Sequence, residues 1–277
     1  MAISYSSHPN PKPFYVVLAI CLLFLANNNK VNAAKVISFN FTKFSTSNPS
    51  ITLQGSSEIL GNGVLALTNR ENPVSNTGRV LYATPVTIWD EATGNIASFV
   101  TSFSFVVEDA EGDYNSADGI IFFLAPQDTE IPNNSSGGFL GVVDGSNAFN
   151  QFVGVEFDTY TNEWDPDSAH VGIDVNSLIS LKTVKWNRVS GSLVRVSIIY
   201  DSLSKTLSVS VTNKNGRITT VSQVVDLKAV LPEKVRVGLS ATTTSGGVEA
   251  HDIYSWSFTS NLETTTSSRM NNIVSYA

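Results

Sequence analysis

The sequence contains little charge, and acidic residues outnumber basic ones. Only 15% of its 277 residues are charged, with 17 lysines and arginines against 24 aspartates and glutamates. Because an acidic chain offers few cations to a phosphate backbone, nucleic acid is not expected as a partner. The 42% hydrophobic content also excludes an intrinsically disordered chain and a coiled coil. We therefore expect a folded protein with a sizeable core.

Long hydrophobic runs are lacking except for one near the N-terminus. It covers residues 14–26, follows Lys12, and is followed by small residues at Ala33 and Ala34. Its thirteen residues fall short of the roughly 20 needed to span a bilayer. The pattern predicts a secretory signal peptide at residues 1–33 and no membrane span. We expect a protein of the secretory pathway, either extracellular or held in a storage vacuole.

Cysteine is nearly absent, since Cys21 is the only one and lies in the predicted signal peptide. Without disulfides, stability has to come from core burial, bound metal or subunit contacts. Three Asn-X-Ser/Thr motifs are compatible with glycosylation in the secretory pathway. Their asparagines are Asn40, Asn133 and Asn134.

The sequence is rich in apolar and polar side chains that alternate with a period of two. Phe103 and Phe105 alternate with Ser102 and Ser104, for example, and such segments are typical of half-buried antiparallel strands. Residues 120–124 are apolar at every position, which predicts an inner strand covered on both faces.

Turn-forming glycine and asparagine pairs separate these segments, and no linker divides them. Many short strands with regular turns predict one all-β sandwich domain, which we place at residues 34–262. Residues 263–277 lose the alternation and become rich in Thr, Ser and Asn. They predict a C-terminal tail that is disordered or trimmed.

One strand carries two carboxylates on the same face. In the segment VGVEFD the residues Val153, Val155 and Phe157 are apolar, so Glu156 and Asp158 project together from the other face. Two such carboxylates repel each other and raise each other's pKa values. A bound cation would reverse that effect.

The loop that follows is rich in oxygen ligands. Tyr160 can offer a carbonyl, Asn162 an amide oxygen and Asp165 a carboxylate, and this hard oxygen set suits Ca²⁺. His170 adds an imidazole close to the acids, and one nitrogen with several carboxylates suits Mn²⁺ or Zn²⁺. These residues predict two adjacent metals that share Asp158 and Asp165. The spacing alone also fits a solvated acidic loop with an incidental histidine.

The chain resembles the legume lectin family along nearly its whole length from about residue 35 to residue 262. The matching segments are GRVLYATPVTIWD at 78–90, ADGIIFFLAP at 117–126, VGVEFDTY at 153–160, HVGIDVNS at 170–177, VVDLKAVLPE at 224–233 and SWSFTSNL at 255–262. The resemblance implies a jelly-roll β-sandwich with a flat back sheet and a curved front sheet. It also implies homodimers or homotetramers that form through the back sheets.

The resemblance implies a metal site at the positions that match the family pattern. The implied ligands of a transition metal such as Mn²⁺ are Glu156, Asp158, Asp165 and His170. The implied ligands of Ca²⁺ are Asp158, the Tyr160 carbonyl, Asn162 and Asp165. Ser180 falls where the family has a serine that holds a metal-bound water.

The resemblance also implies a sugar site at Asp118, the Gly138 amide, Tyr160 and Asn162, with a cis peptide between Ala117 and Asp118. An ionised Asp118 can accept two hydroxyl hydrogen bonds, and Asn162 can donate its amide while calcium holds its oxygen. Gly138 lets the backbone approach the sugar closely, and the Tyr160 ring offers an apolar face.

The loop at residues 241–250 bears on which sugar is bound. Compared with one galactose-binding member of the family, Thr244 replaces a serine and Ser245 replaces a leucine. Thr244 keeps a hydroxyl for an axial 4-hydroxyl group, which favours galactose-type sugars. Mannose or glucose could instead turn over in the pocket and use the Ser245 and Gly246 amides.

These features favour a metal-dependent lectin without catalytic activity that binds glycans and glycoproteins at several sites at once. A glycoside hydrolase on a related sandwich is the enzyme alternative. The next position in its carboxylate pattern is Tyr160, so the second catalytic carboxylate is missing. A storage or defence protein that has lost sugar binding is the third alternative, and it predicts broken ligands.

Overall fold

The computed structural model describes residues 34–69, 75–110, 115–244 and 246–264. The predicted signal peptide, Ser245 and the tail from residue 265 onward lie outside these residues. Within the described part of the chain, no helix is long and apolar enough to cross a bilayer.

Two antiparallel sheets of eight strands each form the fold. The back sheet consists of β1 (Ala34–Phe41), β3 (Glu58–Ile59), β4 (Leu65–Ala66), β7 (Ser98–Asp109), β12 (Val194–Asp201), β13 (Thr206–Thr212), β14 (Ile218–Val224) and β16 (Glu249–Glu263). The front sheet consists of β2 (Ile51–Gly55), β5 (Thr77–Tyr82), β6 (Val86–Thr87), β8 (Gly119–Pro126), β9 (Val153–Asp158), β10 (His170–Val175), β11 (Lys182–Lys185) and β15 (Lys234–Thr242). The predicted all-β sandwich is confirmed.

Helical structure is limited in the described residues to one 3-10 turn, Gly137–Phe139, and one helical turn, α1 (Leu227–Val230). The back sheet has the order β14-β13-β12-β7-β16-β4-β3, and β1 also pairs with β16. The front sheet has the order β11-β10-β9-β8-β15-β5-β2, and β6 pairs with β15. β16 continues through Glu263, the first residue of the predicted tail, which pairs with Ala34.

The main core lies between the sheets and follows the alternation seen in the sequence. Phe99, Phe103 and Phe105 all point inward from β7 and are buried, while the serines between them point outward. Burial of this kind stabilises the fold by roughly 1.5–3 kcal/mol for each large apolar side chain. The core therefore stabilises a domain whose described residues contain no cysteine and hence no disulfide.

A second hydrophobic cluster covers the other face of the front sheet. Ile121 and Phe123 of β8 pack there against Leu140, Val142 and Val143 of a long loop. This packing explains why β8 is apolar at every position: one set of its side chains faces the main core and the other faces the loop. The predicted inner strand is confirmed.

Candidate functional site

Three neighbouring front-sheet strands bring the candidate residues to one place. Asp158 at the end of β9 pairs with Gly119 of β8 on one side and with His170 of β10 on the other. Asp118 directly precedes Gly119. The antiparallel register therefore places Asp118, Asp158 and His170 side by side at one end of the sheet, although 52 positions separate the first from the last.

A compact cluster of two acids and a histidine lies at this end. His170 Nε2 is 3.0 Å from Glu156 Oε1 and 4.0 Å from Asp165 Oδ1. One ligand atom from each of the three residues lies within 4.8 Å of the others. Gly172 leaves room for the cluster, because a Cβ atom there would lie 2.4 Å from Glu156 Oε1.

The charges of the cluster are those of a cation site. Burial, followed by repulsion from Glu156 and Asp165, raises the pKa of Asp158 well above its usual value. Burial also raises the pKa of Asp165 to about 6. Burial lowers the pKa of His170, but its hydrogen bond and attraction to Glu156 outweigh that effect and leave the pKa raised. Buried carboxylates this close together are costly unless a cation neutralises them.

The loop after β9 is folded by two of the same carboxylates. The Tyr160 N–H donates to Asp158 Oδ1 at 2.7 Å, and the Asn162 N–H donates to Asp165 Oδ2 at 2.7 Å. Asn162 Oδ1 is buried and has no hydrogen-bond partner among the described residues. An unpartnered amide oxygen beside two carboxylates suits a hard cation such as Ca²⁺. The residues present therefore fit the two metals that the sequence predicted.

Ser180 lies against this cluster. It also contacts Asp174, a buried acid that the sequence did not indicate as a site residue. The Ser180 hydroxyl lies 2.7 Å from Glu156 Oε1 and 2.6 Å from Asp174 Oδ1. Asp174 is fully buried, and burial together with the charge of Glu156 raises its pKa well above its usual value. The sequence does contain a sign of this residue: Asp174 is an aspartate in a mostly apolar strand, on the same face as His170 and Gly172.

The candidate sugar cleft lies beside the cluster. Asp118 follows a cis peptide after Ala117, as the resemblance implied, and is 3% exposed. Its Oδ2 atom has no hydrogen-bond partner among the described residues. Burial, followed by repulsion from Glu249, raises the pKa of Asp118 to about 7. Because Oδ2 has no partner, the Asp118 carboxylate can accept hydrogen bonds from the hydroxyl groups of a ligand.

The 3-10 turn brings Gly137 against this carboxylate and Gly138 against the side chain of Asn162. A Cβ atom at Gly137 would lie 3.9 Å from both Asp118 carboxylate oxygens and 2.6 Å from Thr244 Cγ2, and one at Gly138 would lie 2.5 Å from Asn162 Oδ1. The structure thus brings together Asp118, Gly138, Asn162 and Thr244.

Other predicted site residues lie at the surface. The Tyr160 side chain is 40% exposed, which leaves it accessible to a ligand. Gly246 donates its N–H to the Thr244 carbonyl at 2.9 Å, within the loop that contains Ser245. Asn40, Asn133 and Asn134 are exposed, so their side chains are accessible to modification.

Glu249 is a second buried acid that sequence reasoning missed. Its Oε1 atom accepts hydrogen bonds from the Thr159 hydroxyl at 2.5 Å and lies 2.9 Å from His251 Nε2. Glu249 and His251 stand one residue apart and both are buried. Thr159 lies between Asp158 and Tyr160, so its hydrogen bond to Glu249 anchors the start of the loop that carries the candidate ligands.

Comparison with known proteins agrees with this geometry. The family model described as "Legume lectin domain" matches residues 36–274. The chain belongs to the legume lectin family. Legume lectins are carbohydrate-binding proteins without catalytic activity, which rules out the glycoside hydrolase alternative, and they generally bind metal.

Two curated relatives and one solved structure illustrate the similarity. A bark agglutinin of Robinia pseudoacacia is 62% identical over 273 residues, covering 97% of this chain and 99% of the relative. A galactose-binding lectin of Arachis hypogaea is 58% identical over 264 residues, covering 94% of this chain and 96% of the relative. The peanut lectin structure with a nine-residue peptide has a TM-score of 0.81 at 60% identity, covering 83% of this chain and 100% of that one.

Proposed function

We propose that this legume lectin binds galactose-type sugars in a cleft whose shape depends on Ca²⁺ and a transition metal such as Mn²⁺. The observation that carries the proposal is the meeting of Asp118, Gly138 and Asn162 directly beside the cluster of Glu156, Asp165 and His170. All of the predicted ligand residues are present, which argues against a sugar-inactive storage or defence protein.

The binding residues have separate tasks. Asp118 accepts hydrogen bonds from two neighbouring sugar hydroxyls, and its ionised form makes them charge-assisted. The Asn162 amide group and the Gly138 N–H donate to sugar oxygens. The exposed Tyr160 ring covers the apolar face of the pyranose. None of these contacts moves a proton, so the sugar is bound and released unchanged.

Bound metals would neutralise the buried carboxylates and hold the loop after β9. The residues that would hold the transition metal are Glu156, Asp158, Asp165 and His170. The residues that would hold Ca²⁺ are Asp158, the Tyr160 carbonyl, Asn162 and Asp165. With its oxygen engaged in this way, Asn162 can only present its amide hydrogens to the cleft.

The preference for galactose is supported by Thr244 and by similarity. The methyl group of Thr244 lies against Gly137 at the cleft, and we expect the hydroxyl group of the same side chain to meet an axial 4-hydroxyl of the sugar. The 58% identical relative from Arachis hypogaea is named a galactose-binding lectin. Mannose and glucose, which have an equatorial 4-hydroxyl, are the competing ligands in the test below.

We further propose that two or four copies associate through their back sheets, so that the protein binds glycoproteins at several sites with high avidity. Short side chains on the outer face of this sheet support this proposal. In one cross-strand row Ser257, Ser102, Ser197 and Ser210 lie side by side. Such a row has little charge to desolvate and lets a second copy approach closely.

We also propose entry into the secretory pathway, with an extracellular or vacuolar destination. The predicted signal peptide at residues 1–33 supports this route, as do the exposed asparagines of the three glycosylation motifs. We expect mass spectrometry of the secreted protein to detect glycans attached to these asparagines.

A competition assay tests the proposed ligand. The protein loaded with Ca²⁺ and Mn²⁺ is bound to a galactose resin and eluted with free galactose, mannose or glucose. Elution by galactose alone supports the proposal. Failure to bind the galactose resin, with retention on a mannose or glucose resin, would replace it with the second specificity. Failure to bind any of the three sugar resins would overturn it.

A further inference from the structure

A segment of the loop that carries the candidate cleft glycines crosses the outer face of the front sheet. This segment, residues 129–141, is called here the cleft segment. It leads into the second hydrophobic cluster, where Leu140 packs with Ile121 and Phe123. Hydrophobic attraction is non-directional, so this packing attaches the cleft segment without fixing how its peptide groups are oriented.

Arg79 of β5 makes directional contacts to both ends of the cleft segment. Its guanidinium donates to the Glu130 carbonyl at 2.6 Å, to the Thr129 hydroxyl at 3.1 Å and to the Gly141 carbonyl at 3.4 Å. Burial lowers the pKa of Arg79 to about 10, so the side chain keeps its charge at neutral pH. These three acceptors offset part of the cost of burying the cation, while the Arg79 Nε has no hydrogen-bond partner among the described residues.

Two hydroxyl groups of β15 hold the C-terminal part of the same segment. Ser240 Oγ donates to the Leu140 carbonyl at 2.6 Å, and Thr242 Oγ1 donates to the Gly137 carbonyl at 2.6 Å. Ser240 is the cross-strand partner of Arg79, and Thr242 lies two residues further on the same face. All three side chains are fully buried, and together they are called here the polar clamp.

The Thr242 contact bears directly on the cleft. The carbonyl that it binds belongs to the peptide group that joins Gly137 to Gly138. A peptide group is planar and its C=O and N–H point in opposite directions, so holding the Gly137 carbonyl fixes the direction of the Gly138 N–H. That N–H is the donor that the proposed function assigns to the sugar.

We propose that the polar clamp of Arg79, Ser240 and Thr242 positions the Gly138 N–H and thereby sets the affinity of the cleft for its sugar. The inference rests on the proposed function. The clamp contacts end on the cleft segment and not on the cluster of Glu156, Asp165 and His170, so its loss is expected to leave metal affinity unchanged.

The test compares galactose affinity in the full chain loaded with Ca²⁺ and Mn²⁺, measured by isothermal titration calorimetry. Thr242→Val keeps the shape of the side chain but removes its hydroxyl, and it is expected to weaken galactose binding by about five- to tenfold. Thr242→Ser keeps the hydroxyl and is expected to retain the affinity of the unaltered protein. Ser240→Ala, a smaller change, is expected to weaken binding in the same direction.

Thr101→Val is the matched control for a general loss of stability. Thr101 is a buried strand threonine of the other sheet, and its hydroxyl donates to the Ser257 carbonyl at 2.7 Å and accepts from Trp256 Nε1 at 3.2 Å. Thr101→Val is expected to lower the melting temperature at least as much as Thr242→Val does, with galactose affinity unchanged. Amide hydrogen exchange adds a local readout, with faster exchange expected in residues 137–141 of Thr242→Val alone.

The outcomes separate the two hypotheses. If the unaltered protein binds galactose and both Thr242→Val and Ser240→Ala bind it equally well, the polar clamp has no positioning role and the inference is overturned. If Thr242→Ser loses affinity as far as Thr242→Val, the hydroxyl is not responsible and the inference also fails. If the unaltered protein binds no sugar at all, the proposed function fails first and takes this inference with it.

Discussion

Gly138 lies directly against the side chain of Asn162, because a Cβ atom at position 138 would come within 2.5 Å of Asn162 Oδ1. The glycine backbone and the asparagine amide therefore occupy adjoining sides of one cleft. No other amino acid fits position 138 without moving the Asn162 side chain.

Gly138→Ala is expected to weaken galactose binding by about tenfold or more. The added methyl group meets the end of a side chain, not backbone, so Asn162 shifts and the fold is retained. Calorimetric titration measures the effect, and Gly61→Ala is the matched control because a Cβ atom there meets nothing within 4 Å. Equal affinities for the two variants would show that Gly138 and Asn162 do not form the cleft.

Asp118→Asn tests the proposed acceptor of the sugar hydroxyls. The amide keeps the size of the side chain but loses the charge, and a hydrogen bond to a charged group is worth about 1.5–3 kcal/mol. We expect galactose affinity to fall on the order of 10- to 100-fold, with an unchanged circular dichroism spectrum. Full affinity in this folded variant would place the sugar elsewhere.

Ser180→Ala tests the support of the metal cluster. The Ser180 hydroxyl contacts both Glu156 and Asp174, and loss of such outer contacts typically costs about 10- to 100-fold in metal affinity. Mn²⁺ titration of the chelator-treated protein measures this loss, and the exposed Ser222, replaced by alanine, serves as control. An Mn²⁺ affinity equal to that of the control would show that the metal does not depend on this serine.

Metal removal is expected to destabilise the fold as well as the site. Ligands that bind only the folded state stabilise it by about 2.7 kcal/mol at a concentration 100 times their Kd, which for a domain of this size corresponds to roughly 5–10 °C in melting temperature. Differential scanning calorimetry with chelator, and then with Ca²⁺ and Mn²⁺ restored, measures the change. A melting temperature that does not respond to either metal would contradict binding at the buried acids.

Much of the fold and of the site follows from local sequence patterns. The alternation around Phe103 and Phe105 predicted strands of the back sheet, and the wholly apolar run at residues 120–124 predicted a strand covered on both faces. Glu156 and Asp158 are two residues apart, so strand geometry was enough to expect their carboxylates on one face. Spacing alone left open whether His170 joins them or is incidental to a solvated acidic loop. The identity of the sugar contacts required the family resemblance.

The missed features depend on contacts between distant parts of the chain. Arg79 and Gly141 are 62 residues apart, and no local period indicates that one holds the other. Asp174 and Glu249 look like ordinary acids within strands until the pairing of those strands buries them. Such residues are found only when the topology places them beside the site.

The most direct test of the account measures galactose binding by calorimetry in one protein sample under three conditions: loaded with metal, depleted by a chelator, and reloaded with Ca²⁺ and Mn²⁺. We predict that binding is present, then lost, then restored. Undiminished binding in thoroughly metal-depleted protein would contradict the claim that metals held by residues 156–170 shape the sugar cleft.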